Sequence, residues 1–470
     1  MEKTLLKEDY KKRDNRSLYK NIFILAMPIA LQNLISFITN IVDTLMLGKL
    51  ENAEVLIAGS TLADQPLFIL AMICFGFSGG VLALCSQYWG KKDVVSIRKI
   101  MSIALKCVVA IALLIQTAVL LFPTGIMGIY SNNAQVVTAG VDYLRIFGFG
   151  YVLYAFSSMV LCSIRSVEIV KTAVLINVST LVINVFLNWV FIFGKLGVPA
   201  MGLKGSALAT LIARAVEFVL VCLFIFTVDK KLNFRLKDLL LFDKILAGDL
   251  LKIGTPVVLN ELFWALGISV QAAILGNISY SFGEPVAANT IANNIQQLAT
   301  IVIFGIANAA AVIVGKAIGE GDLKEAAHRA KVLKIMSMGV GVLGCGLVLV
   351  LRHFVIDFFD VSSQTKELTF QLMTVTAFVV FFISIAAMSI VGILRGGGDT
   401  KFCLICEMIV LWLVAVPFAY LAAVVFKWPV FVVLICMKVD EPIKSVACLV
   451  RIHGSKWIHS VTRDFTGVVQ

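Results

Sequence analysis

The chain has 470 residues, 60% of them apolar and only 15% charged, with a mean hydropathy of +0.95. No soluble fold of this length covers so much apolar surface, so lipid must be the solvent for most of the chain. The net charge of +11 does not mark a nucleic-acid binder. The basic residues sit in short loops between apolar runs, and no basic face of a soluble domain is formed.

The first twenty residues are highly charged. The apolar run that begins at Asn21 is too long for the core of a cleavable leader, so none is expected. Twelve apolar segments follow, each near the length a bilayer requires: 21–47, 55–86, 97–122, 136–163, 170–193, 202–228, 250–276, 285–315, 332–352, 367–393, 402–426 and 428–449. Lys438, Asp440 and Glu441 interrupt the last one, which reads as a short span followed by an amphipathic helix. The expected fold class is therefore all-α integral membrane. Its expected parts are a tail (1–20), a first lobe of six spans (21–228), a linker (229–249), a second lobe of six (250–449) and a C-terminal tail (450–470).

The two lobes retrace each other at an offset of about 229 residues. Pro28-Ile-Ala-Leu-Gln32-Asn33 aligns with Pro256-Val-Val-Leu-Asn260-Glu261, and Val42-Asp43 with Val270-Gln271. Further on, Phe75-Gly76 aligns with Phe304-Gly305, Gly90 with Gly319, and Arg165 with Arg395. Sparse matches in one register indicate duplication, and duplicated apolar halves are a transporter signature. Most of the forty Lys and Arg lie in the two tails, the 229–252 linker and every second loop, where Arg165 and Arg395 are counted. The other loops carry only Lys49, Lys195, Lys204, Arg352, Lys366 and Lys427. This asymmetry places both termini in the cytoplasm. Six spans per half then make the repeats parallel, related by a pseudo-two-fold axis along the membrane normal.

No Gly-rich phosphate loop, zinc-protease motif or Ser-His-Asp set appears, so the chain is not expected to be an enzyme. Gly396-Gly-Gly398 lacks the Lys-Ser/Thr that would make it a P-loop. Ten cysteines lie in or beside apolar segments, which argues against disulfides. Cys403 and Cys406 have no neighbouring His or second Cys pair, so no metal site and no cofactor are expected.

Polar residues inside spans carry the functional reading. Asp43 lies in the outer third of the first span, where a carboxylate is costly unless it faces protein or a wet cavity; the plainer alternative is an interfacial aspartate touching headgroups. Asn177, Asn184 and Asn188 share one face of the fifth span, with Asn188 near the depth of Asp43 and with Ser206 and Thr210 of the sixth span in the same layer. Such a group suits a dehydrated cation or a shared proton, or else simple interhelical hydrogen bonding. Pro28 and Pro256 occupy equivalent mid-span positions, as hinges or static kinks. Glu261 lies within the seventh span, in contact with an ion or substrate or in a structural bond. Arg214 with Glu217, and Asp142 with Arg145, read as self-neutralising pairs at i,i+3. Glu407 is expected to snorkel to the interface. Asp64 and Gln65, with Asn293, Asn294, Gln296 and Gln297, form repeat-related polar sets expected to line a cleft.

Taken together, these segments resemble the multidrug and toxic compound extrusion (MATE) family over essentially the whole chain. The resemblance is carried by Pro28-Ile-Ala-Leu-Gln-Asn33, Val42-Asp-Thr-Leu-Met-Leu-Gly48, Gln87-Tyr-Trp-Gly-Lys-Lys-Asp93, Asn184 to Gly194, Gly205-Ser-Ala-Leu-Ala-Thr210 and Leu394-Arg-Gly-Gly-Gly-Asp-Thr400. It implies two six-helix bundles in a V shape, a monomer, and exchange of organic cation drugs for Na⁺ or H⁺ across the cell inner or plasma membrane. It also implies ion coupling at Asp43, Asn184, Asn188 and Thr210, with Thr210 chosen over Ser206. Position 188 is often Asp in the family; Asn here removes one negative charge. Glu261 fits a C-lobe acid of the sodium-dependent branch only in a shifted register. The tenth span carries no acid, so coupling is expected in the first lobe.

The primary expectation is therefore a secondary antiporter with membrane lipids, organic cation drugs and a monovalent cation as partners, and no nucleic acid. Asn177, Gln65, Glu261, Asn260, Gln32 and Asn33 are expected to line its substrate cavity. A lipid-linked saccharide flippase of the wider superfamily is the alternative. It would need a cationic cleft, for which the spans offer only Lys106, Arg145 and Arg214. A receptor or scaffold without transport gives no reason for duplicated prolines and a membrane acid.

Overall fold

The structure, a computed structural model, describes residues 15–278, 284–356 and 362–463. Most of the expected N-terminal tail and the end of the C-terminal tail lie outside these residues. Within them all regular structure is helical, as a lipid-embedded chain requires: a helix satisfies its own backbone polar groups where no water can.

Among the described residues, eleven helices are long and apolar enough to cross a bilayer. They are α1 (Asn15–Leu47), α2 (Ala53–Gly90), α3 (Val94–Leu121), α4 (Ala134–Ser166), α5 (Lys171–Phe193), α6 (Leu203–Val228), α7 (Lys244–Gly276), α8 (Pro285–Gly319), α9 (Leu323–Val355), α10 (Ser363–Leu394) and α11 (Thr400–Val425). The expected twelfth span is divided into α12 (Val430–Met437) and α13 (Asp440–His453), with the break at the charged residues that interrupt the apolar run. Asn133, Asp322 and Ser362 cap α4, α9 and α10, each side chain accepting from a backbone N–H of the first turn. Gly194 ends α5 at φ +66°, a left-handed conformation that glycine adopts without strain.

The chain divides into two compact units. One comprises residues through Ala30, Leu82–Asp93 and Leu259 onward; the other comprises Leu31–Val81 and Val94–Val258. The boundaries inside α1 and α7 fall two residues after Pro28 and Pro256 respectively, and both helices continue through their prolines. In the first unit the core forms around α8 and α10, whose apolar windows are both 83% buried.

Repeated glycines explain how each unit closes. A Cβ on Gly76 of α2 would lie 2.4 Å from Cα of Val258 on α7, inside the second unit. A Cβ on the repeat-equivalent Gly305 of α8 would lie 2.8 Å from Cβ of Ala30 on α1, inside the first. Small residues of this kind let helix backbones touch in lipid, where dispersion between close surfaces replaces the missing hydrophobic drive.

Residues 229–243 between α6 and α7 are held by their acids. Asp229 accepts from the backbone N–H groups of Lys231, Leu232 and Asn233. Asp238 accepts from Arg235 N at 2.8 Å and closes a short 3₁₀ turn, Leu236–Leu240. Burial opposes ionisation of Asp243, but Lys99 and the N–H groups of Leu246 and Ile245 outweigh it and hold the carboxyl below its ordinary range.

Gly76→Ala is expected to lower stability by about 1–3 kcal/mol, because its neighbour is backbone that cannot swing away. Gly346→Ala on α9, with nothing within 4 Å, is expected to be neutral or stabilising by up to about 1 kcal/mol. Thermal melting of both variants in detergent checks this; equal midpoints would refute it.

Candidate cation site

Three elements of one compact unit converge on Asp43. Asn184 and Asn188 lie one turn apart on α5 and project together. Both are buried, at 2% and 0% exposure. Asn188 Nδ2 donates to Asp43 Oδ1 at 2.5 Å and to Asn184 Oδ1 at 3.2 Å. Asn184 Nδ2 in turn donates to Thr210 Oγ1 on α6 at 3.3 Å. The result is a relay from a half-buried carboxylate through two amides to a hydroxyl. Thr210 is the sixth-span hydroxyl that accepts from Asn184.

Two features set this relay apart. The amides direct their donors to Asp43, Asn184 Oδ1 and Thr210, yet Asn188 Oδ1 is buried and has no hydrogen-bond partner. A buried carbonyl left unsatisfied costs about 1–3 kcal/mol, so the site has an acceptor to offer a cation or a proton-bearing group. Asp43 is also met by the Asn188 amide, where three glutamates in the spans are met by bases. Glu217 pairs with Arg214 at 2.6 Å, as the i,i+3 spacing predicts. Glu261 pairs with Arg395 at 2.6 Å. Glu407 pairs with Lys444 at 3.1 Å.

Several expectations are corrected here. Asp142 pairs with Lys204 at 3.3 Å, not with Arg145; Lys204 opens α6 and reaches across to α4. Glu407 does not snorkel. It is buried, and Lys444 from α13 also contacts Asp440 at 2.9 Å and Glu441 at 3.0 Å. Arg395 is no loop residue; it is buried at the end of α10.

The residues assigned to a substrate cavity lie in several environments. Gln32 is buried, with Oε1 accepting from Arg165 Nη2 at 3.0 Å. Glu261 is held by Arg395, and Asn260 beside it is buried with Oδ1 unpartnered. Gln65 turns back to Thr61 O of its own helix at 3.4 Å. Asn33 and Asn177 are half-buried, the latter two turns from Asn184 on α5. The paired arginines are what residue-by-residue reading missed. Arg165 and Arg395 are repeat equivalents, and each clamps the first helix of its half. Their alignment in the repeat was the available signal. Asp64, at the break between helices Ala53–Ala63 and Gln65–Gly90, accepts from the hydroxyl of Tyr143.

The MatE family profile matches residues 28–190 and again 264–421, one stretch in each half. The chain belongs to the MatE family. A probable multidrug resistance protein NorM of Thermotoga maritima is 23% identical over 461 residues, covering 97% of both chains. One of the same name from Mannheimia succiniciproducens is 26% identical, covering 86% of this chain and 85% of its own. Among solved structures, the fold matches an outward-facing multidrug resistance MATE transporter of the MOP superfamily with TM-score 0.83 at 19% identity, covering 93% of this chain and 96% of that one. It matches a MOP superfamily transporter from Pyrococcus furiosus, described as having a binding pocket of reverse polarity, equally well, at TM-score 0.83 and 18% identity. The family match and the apolar helices make this a multi-pass membrane protein.

Glu261→Ala strands the Arg395 guanidinium in a buried site and is expected to destabilise by about 3–5 kcal/mol. The double variant Glu261→Met/Arg395→Met should recover most of that loss. Melting midpoints of the two purified variants check this, and a double variant no better than the single one would refute it.

Proposed function

We propose that this MatE-family chain is a multidrug efflux transporter that exports organic cations in exchange for Na⁺ or H⁺, with Asp43 as the coupling group. The observation that carries the reading is the relay at Asp43: among the described residues, a carboxylate met by the Asn188 amide and by no base within ion-pair distance, beside a buried acceptor, Asn188 Oδ1, without a hydrogen-bond partner. Carboxylate, carbonyl and hydroxyl oxygens are the donors a hard cation takes when it sheds water, and the same set can hold a proton on Asp43. An organic cation and the inorganic one compete for the single negative centre. Release of one then accompanies capture of the other.

Efflux needs two access states. Pro28 and Pro256 support a hinge role because each frees a carbonyl in mid-helix, and each lies where one compact unit gives way to the other along the chain. The distribution of Lys and Arg supports cytoplasmic termini, and the family likeness supports a monomer in a cell inner or plasma membrane. The saccharide flippase reading needs unpaired bases in the spans. Arg214 is paired with Glu217 and Lys106 is bound to a backbone carbonyl; Arg145 is exposed on α4, and one base does not make a cationic cleft.

Asp43→Asn is expected to fold normally and to lose at least about 100-fold in the rate of drug-coupled ion exchange, since it keeps the hydrogen-bond acceptor and removes the charge. Dye efflux from proteoliposomes with imposed Na⁺ or pH gradients measures this and names the ion. Wild-type efflux by the variant would reject the coupling role; transport of a lipid-linked saccharide instead of dye would establish the alternative.

A further inference from the structure

The segment joining the two halves is pinned to α3 at a defined depth. The single Ser102 hydroxyl proton is shared between the carbonyls of Leu239 and Leu241, which lie 3.0 and 2.9 Å from Oγ, and Lys106 Nζ donates to Leu241 O at 2.7 Å. Ser102 lies about two turns inside α3, and about 20 residues, or roughly 30 Å of helix, remain from there to Leu121. That length is the hydrocarbon thickness of a bilayer, so the Ser102 contact sits at the boundary between acyl chains and headgroups.

At this level the segment turns large apolar side chains outward. Leu236, Leu240 and Phe242 are 67%, 83% and 65% exposed, while Leu232, Phe234 and Leu246 are buried against the protein. Lys106 lies over the Phe242 ring at 5.9 Å from its centroid. Charge is sorted in the same way. Asp229, Asp238 and Asp243 face inward, bound to backbone N–H groups of the segment, with Arg98 and Lys99 of α3 beside the last two. The side chains of Lys230, Arg235, Lys237 and Lys244 are exposed. The outer face therefore offers apolar side chains flanked by bases, its acids having been withdrawn.

We propose that residues 229–244 form a binding site for anionic phospholipid, with Leu236, Leu240 and Phe242 entering the acyl region and the four bases holding phosphate headgroups. An acidic protein partner would also attract the bases. It could not cover apolar side chains that the Ser102 and Lys106 contacts hold at the level of the acyl boundary. The site is independent of the coupling chemistry at Asp43 and stands or falls separately.

Hydrogen exchange of peptides covering 232–243, measured on the full-length protein in nanodiscs, tests the proposal. In discs containing phosphatidylglycerol these amides are expected to exchange at least about fivefold more slowly than in phosphatidylcholine discs, since one surface base contributes about that factor to anionic-lipid binding. The loop at 195–202 should not change between the two lipids. The variant Lys230→Gln/Arg235→Gln/Lys237→Gln/Lys244→Gln should exchange alike in both lipids while α3 stays protected. Equal wild-type exchange in the two lipids overturns the proposal without reference to any variant. So does a phosphatidylglycerol effect that persists in the neutralised variant, and so does equal slowing by inorganic phosphate in phosphatidylcholine discs.

Discussion

A charge inside a bilayer must find its opposite or be neutralised, an acid by taking up a proton and a base by giving one up, and this constraint organises the polar interior of the protein. Arginine and lysine have been placed to meet glutamates across helices: Arg214 with Glu217, Arg395 with Glu261, Lys444 with Glu407. Each of these acids is matched by a base within its own compact unit. Asp43 departs from the pattern because its partner is the Asn188 amide, which can orient a carboxylate without neutralising it. The difference separates acids matched by a base from one met by an uncharged amide.

The duplication lets the same comparison be made twice. An arginine at the end of α4 or α10 reaches the first helix of its own half in both repeats. It meets the amide of Gln32 in one and the carboxylate of Glu261 in the other. The scaffold contact is retained while its charge differs. The seventh helix thereby carries an acid that is already matched, and the first helix carries one that is not. The asymmetry of chemistry is thus laid over a symmetry of packing, and it lies in a handful of side chains.

Much of this was legible in the sequence because it depends on local spacing. Eleven spans follow from unbroken apolar runs, and the division of the last into α12 and α13 follows from Lys438, Asp440 and Glu441. Asn184 and Asn188 share a face because four residues make about one turn. What sequence could not supply is which distant base an acid meets. Glu407 finds Lys444, 37 positions away, only because α13 folds back on α11. Asp142 prefers Lys204 to the nearer Arg145 because the start of α6 packs on α4. By its charge alone Arg395 reads as an interfacial loop residue, and the carboxylate that makes its burial tolerable comes from 134 positions earlier.

Gly76 rests on Val258 and Gly305 on Ala30, so the second helix of each repeat completes its packing with the first helix of the other. Neither repeat is a self-contained folding module. Cutting the gene in the linker would yield two products with an uncovered glycine seam, each the natural complement of the other. A lone ancestral repeat would have faced the same deficit, and a second copy of itself would have filled it. Within one chain the partner of each seam is always at hand.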